Sequence, residues 1–160
     1  MLQTKSADTM LNGAHAIAQE MRRTEGPSYE ALLLLTQARN QAYAEAARGD
    51  LGRGLNLLND ALTQVPQSHD LLSDMAALLL AAGEHPLATS YASRALAVNP
   101  AHGPSLYTLA FSLAGQGFDD RAIQALKELS AEGPARDNLR AEAPDLEPLV
   151  ALELERLQSR

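Results

Sequence analysis

Four histidines, one pair of adjacent aspartates and one glycine-rich run are the residues of this chain with the types to do chemistry. His15, His69, His85 and His102 are scattered, and none has a second ligand-type residue three or four positions on. An HExxH helix needs that spacing, because one turn aligns two imidazoles on a single metal ion. No GxxxxGK[S/T] phosphate loop and no GxSxG nucleophile turn occurs. The run Gly49-Asp50-Leu51-Gly52-Arg53-Gly54 has no strand ahead of it and reads as a turn between helices. Asp119-Asp120 stands where a helix begins, so it complements the helix dipole rather than holding an ion. With no cysteine in the chain, disulfides and thiolate metal sites are excluded. The expectation is a protein without catalytic residues, metal or cofactor.

The elements that carry these residues are helices. Hydrophobic residues make up 46% of the 160, yet aromatics are only 4%, so the apolar content is chiefly Ala and Leu, both strong helix formers. No segment alternates like a half-buried strand. The net charge of −7 comes without any cluster of Lys and Arg, which disfavours nucleic acid and anionic membranes as partners. The runs Leu32–Leu35 and Ala76–Ala82 are too short to span a bilayer, and the first residues lack the apolar core of a secretory signal. A cytoplasmic location is the expectation.

Along the chain, Met10, Ala14, Ile17 and Met21 mark one face of a helix that starts near Asp8, until Glu25-Gly26-Pro27 breaks it. Ser28 can cap a long helix that ends at Gly49. Further helices are expected near 51–64, 69–82, 86–98, 104–116 and 119–132, and a last one from Asp145 to Gln158. Pro66, Pro100 and Pro134 lie 34 residues apart, and so do Gly49, Gly83 and Gly117. The glycines suit the end of the first helix of a pair, and the prolines the end of the second. A fixed period of this length signals stacked helix–turn–helix units.

Small residues keep the same register: Ala42, Ala76 and Ala110 in the first helices, then Gly54, Ala88 and Ala122, and Ala61 and Ala95 with Leu129, in the second. Together with the prolines, this pattern resembles the tetratricopeptide repeat (TPR). The resemblance implies an all-α, right-handed superhelical solenoid. One domain over 1–160 is expected, with a helix within 1–27, repeats over 33–68, 69–102 and 103–136, and a capping helix within 137–160. The first repeat departs from the pattern at Gln41, Glu45 and Gly54, which suggests an edge unit. The last helix is expected to cover Leu126 and Leu129 with Leu146, Val150, Leu154 and Leu157.

The resemblance further implies a concave groove lined by the first helices. The positions that face it here are Arg39, Tyr43, Asp70, Ser73, Ala77, Tyr107 and Phe111, so three of the six aromatics share one face. Tyr107 and Phe111, four residues apart, suit packing on a neighbouring helix equally well. The family's clamp for acidic chaperone tails needs several cations that this chain lacks, and Asp74 stands where it needs a neutral donor. What the resemblance implies is an adaptor that binds a partner peptide or helix. Two alternatives are a cytoplasmic chaperone like those of type III secretion, and a substrate-presenting repeat domain of a larger enzyme. The N-terminal helix is a candidate homodimer surface.

Overall fold

The computed structural model describes residues 28–160, and every regular element in that span is helical. Residues 37–160 form one compact unit. The helix expected from Asp8, and the homodimer surface on it, lie outside the described residues. The helices are α1 (Tyr29–Ala47), α2 (Leu51–Gln64), α3 (His69–Ala81), α4 (His85–Val98), α5 (Gly103–Gly115), α6 (Asp119–Ser130), α7 (Pro134–Glu142) and α8 (Glu147–Gln158). A short 3₁₀ turn, Pro144–Leu146, joins the last two.

Local chemistry sets these boundaries. Ser28, Asp50 and Ser68 each accept a backbone N–H three residues on, capping α1, α2 and α3. Gly49, Gly83 and Gly117 close α1, α3 and α5 with φ of 91°, 75° and 81°. At each, the next residue's N–H bonds back to a carbonyl five residues earlier, as Glu84 does to Leu79. A methyl at these glycines would touch nothing within 4 Å, so the requirement is left-handed backbone rather than space. The N–H of Gly103, at the start of α5, donates to Asn138 Oδ1 on α7 at 2.7 Å.

Consecutive helices from α2 to α7 pack side by side, and α3 touches α5, which touches α7. First helices therefore form one layer of a stack. Ala42, Ala76, Ala88, Ala92, Ala95, Ala110 and Ala122 have no exposed surface. Larger leucines, among them Leu58, Leu72, Leu113 and Leu126, fill the space between these close approaches. A partly buried polar link joins α4 to α5: Gln116 Nε2 donates to Thr89 Oγ1 at 2.8 Å, and Thr89 bonds Ser112.

Two features differ from the sequence reading. The third proline does not end a helix as Pro66 and Pro100 do: α6 stops at Ser130, and Pro134 instead opens α7, where its missing N–H costs nothing. The stretch from Pro134 to Glu142, to which the sequence reading gave no element, is thus a helix that stacks on α5 in the place of a further first helix. The Arg140 guanidinium grips Glu147 through three contacts of 2.7–2.9 Å across the 3₁₀ turn. Then α8 lies along α6, and its Val150 and Leu157 enter the same buried cluster as Leu126 and Leu129.

Gly54 also reads differently in three dimensions. A methyl there would come within 2.7 Å of the Ala42 carbonyl oxygen, so α1 and α2 meet backbone to backbone. The residue that looked like a weak match thus sits at a close approach of two backbones. Gly54→Ala should therefore destabilise the protein by ~1–3 kcal/mol through overpacking. Gly52→Ala, two residues away, where a methyl would meet only Asp50 Oδ1 at 4.0 Å, should stabilise it by about 0.5 kcal/mol. Urea denaturation of the two variants checks the difference in sign.

Candidate protein-binding groove

A cavity of about 550 Å³ opens between α1, α3, α5 and the turn after α7. Its floor is the small-residue face of α3, with Ser73, Ala77 and Ala81, because short side chains there leave space above the helix. Leu80 and Tyr107 make an apolar wall. Of the seven residues expected in a groove, Arg39, Tyr43, Ser73, Ala77 and Tyr107 line this cavity. Asp70 lies outside the lining, with Oδ2 3.8 Å from Arg39 Nη1. Phe111 is not in the lining either; it stacks on Tyr107 with ring centroids 4.3 Å apart, and both pack on the buried cluster beneath. Burial, with the nearby Glu153 charge, raises the Tyr107 hydroxyl pKa.

At one end the polar groups are already spoken for. Asp74 is 4% exposed and takes Arg39 Nε at 2.5 Å, Arg39 Nη2 at 3.3 Å and the Tyr43 hydroxyl at 2.8 Å. Burial pushes the Asp74 carboxyl above its usual range even though Arg39 and Tyr43 pull it down. For Arg39, burial opposes the charge, but the Asp74 hydrogen bond and charge outweigh it and the pKa rises. Burial and Asp74 likewise raise the Tyr43 hydroxyl. Arg39 is the only Lys or Arg in the lining, so the groove presents no unspent cation among the described residues.

The opposite end carries His102, Pro104 and Glu142, of which His102 and Glu142 had no local motif to announce them. His102 Nε2 meets Glu142 Oε2 at 2.9 Å, and its Nδ1 meets Ser105 Oγ at 2.7 Å. Burial depresses the His102 pKa against the pull of Glu142. Ser105, His102 and Glu142 have the connectivity of a nucleophilic triad. Ser105 has no exposed surface, however, so its Oγ cannot reach a substrate. Of the pair Asp119-Asp120, Asp119 Oδ2 accepts from Arg160 Nη1 at 3.3 Å.

No family model matches the sequence, and a search of curated proteins finds no match. Among solved structures, the second TPR domain of human RPAP3, in complex with an HSP70 peptide, aligns with a TM-score of 0.65 at 11% identity. That alignment covers 81% of this chain and 99% of that one. The Sgt2 TPR domain of Aspergillus fumigatus aligns at 0.59 with 22% identity, over 76% and 82% of the two chains. The type III secretion translocator chaperone SycD of Yersinia enterocolitica aligns at 0.64 with 16% identity, over 78% and 91%. This chain has the TPR fold. In TPR terms α1/α2, α3/α4 and α5/α6 are the three helix pairs. No helix among the described residues is long and apolar enough to cross a membrane.

The buried carboxylate gives a sharp test of the groove's polar end. Arg39→Ala leaves Asp74 with only the tyrosine hydroxyl and should cost about 2 kcal/mol at neutral pH. A carboxyl whose folded-state pKa lies above its unfolded value contributes stability while protonated and loses it as pH rises through the folded value. The deficit of Arg39→Ala should therefore shrink as pH falls toward about 4. Chemical denaturation across that range would show a parallel, pH-independent deficit if Asp74 were well solvated instead.

Proposed function

We propose that this chain is a non-catalytic protein-interaction module whose groove holds a peptide or helix of a partner rich in apolar and basic side chains. The observation that carries the reading is the state of Arg39. Its guanidinium is committed to Asp74, while Asp70 and Glu142 stand half exposed at the groove's edges. A partner's carboxylates would meet acidic neighbours and no spare cation, and like charges across an interface cost several kcal/mol. Its lysines or arginines would meet carboxylates, and its apolar side chains the floor of Ala77 and Ala81. The overall charge of −7 adds steering in the same sense.

RPAP3 and Sti1 are described in complexes with HSP70 or HSP90 partners, which supports peptide capture as a use of this fold. The acidic ending EEVD of the RPAP3 peptide is the chemistry that this groove disfavours. The likeness to SycD, over 91% of that chain, favours a chaperone as the variant of the same reading.

Display of random peptides to the full chain tests both charge and place. Selected sequences should be enriched in Leu, Ile, Lys and Arg and depleted in Asp and Glu. Ala77→Phe, which fills the floor, should weaken the selected peptides more than ~10-fold with unchanged helicity, given that two or three kcal/mol of contact are displaced. Enrichment of acidic peptides, or binding indifferent to Ala77→Phe, would sink the proposal.

A further inference from the structure

Two imidazoles 33 residues apart in sequence meet beside the groove. His69 is the first residue of α3, and His102 stands one residue ahead of α5, one short of a full period on. Their rings stand 5.0 Å apart at 70°. His69 Nε2 and His102 Nε2 both approach Asp70 Oδ1, at 3.6 and 3.8 Å. These separations are too long for hydrogen bonds, so hydrogen bonding does not account for the convergence. The three ligand atoms lie within 4.8 Å of one another. From the side of α7, Glu142 Oε2 reaches His102 Nε2 at 2.9 Å.

Ligand atoms around a tetrahedral zinc ion, with bonds of about 2.0–2.1 Å, sit roughly 3.3 Å from one another. The two imidazole separations from Asp70 Oδ1, 3.6 and 3.8 Å, lie slightly beyond that edge length. We propose that His69 Nε2, Asp70 Oδ1 and His102 Nε2 bind one divalent transition-metal ion, with Zn²⁺ the best match and Glu142 Oε2, which holds His102 Nε2 in the absence of metal, turning onto the ion as fourth ligand. Two imidazoles select against Mg²⁺ and Ca²⁺, which take oxygen donors. Two carboxylates balance the ion's charge. Arg39 contacts the other oxygen of Asp70, Oδ2, and leaves Oδ1 facing the rings.

Ser105 makes the site adaptable. Without metal, His102 can carry its proton on Nε2, donate to Glu142 and accept the Ser105 hydroxyl at Nδ1. A metal on Nε2 requires the other tautomer, in which that one proton has moved to Nδ1 by way of solvent; Nδ1–H then donates to Ser105 Oγ, since a hydroxyl serves as donor or acceptor. The hydroxyl thereby orients the ring as outer-shell partners of metal-bound histidines do. His102 is buried while His69 is one-third exposed, so the ion enters from the His69 side. The ligands come from α3, the approach to α5 and the end of α7, so the ion would tie three successive units together.

The full chain, stripped with a chelator and titrated with Zn²⁺ against a chromophoric competitor, decides the matter. One ion per chain should bind and raise Tm, because only the folded stack assembles the ligands. Co²⁺ in its place should give the visible absorption of a tetrahedral complex with nitrogen and oxygen donors. His69→Gln and Glu142→Gln alter exposed or half-exposed positions and should fold as the parent does. Each should lower Zn²⁺ affinity more than ~10-fold, since losing even an outer-shell partner costs that much. Absence of Zn²⁺ uptake, or uptake equally tight in His69→Gln, would overturn the assignment.

Discussion

Two helices approach to backbone contact only where side chains are nearly absent, and this stack depends on it. At Gly54 a methyl would sit 2.7 Å from the Ala42 carbonyl oxygen, and the residues one and two periods on, Ala88 and Ala122, are wholly buried. An alanine brings little apolar area to a core, so no helix pair here can hold itself closed on its own. The larger burial comes from leucines such as Leu72, Leu113 and Leu126, which fill the space between the close approaches. Stability is therefore a property of neighbouring pairs, as in any quasi-one-dimensional array. The same scarcity of bulk on α3 leaves Ala77 and Ala81 as the floor of a groove, so one constraint produces both the core and the surface.

A carboxylate buried against such a floor must be compensated, and Asp74 has recruited the two nearest groups able to do it. That recruitment decides the chemistry of the groove. An arginine and a tyrosine that line the groove are held in place by a charge that would be costly alone. The remaining edge charges are acidic. On the proposed reading, selectivity comes as much from what the groove repels as from what it attracts, the usual logic by which one fold serves unrelated partners.

The period of prolines, glycines and small residues made the fold legible, because each of these types answers a requirement of backbone geometry that no neighbour can relax. The helix ends at Gly49, Gly83 and Gly117 are of this kind. The role of Pro134 was not legible, because a proline suits the end of one helix and the start of the next equally well, and the distinction rests on packing against α5. Gly54 was misleading for the opposite reason: its fitness lies in a distance to Ala42 across two helices, which no pattern within one repeat displays. In the groove, residue positions were readable from the register of the first helices. Their availability was not. Whether Arg39 is free depends on Asp74, 35 residues away and buried.

The histidine pair follows from the same geometry. Local motifs such as HExxH are recognisable because one helical turn brings residues four apart onto one face. A solenoid offers a second route, in which residues about one period apart become neighbours through stacking. His69 and His102 are 33 apart, one short of the period, and that offset sets one at the first residue of α3 and the other just ahead of α5. Ligands gathered in this way exist as a set only while the repeats are stacked. An ion held there senses the spacing between units, and the same spacing shapes the groove that begins at His102 and Glu142. Ion binding and groove geometry are consequently two readings of one packing distance.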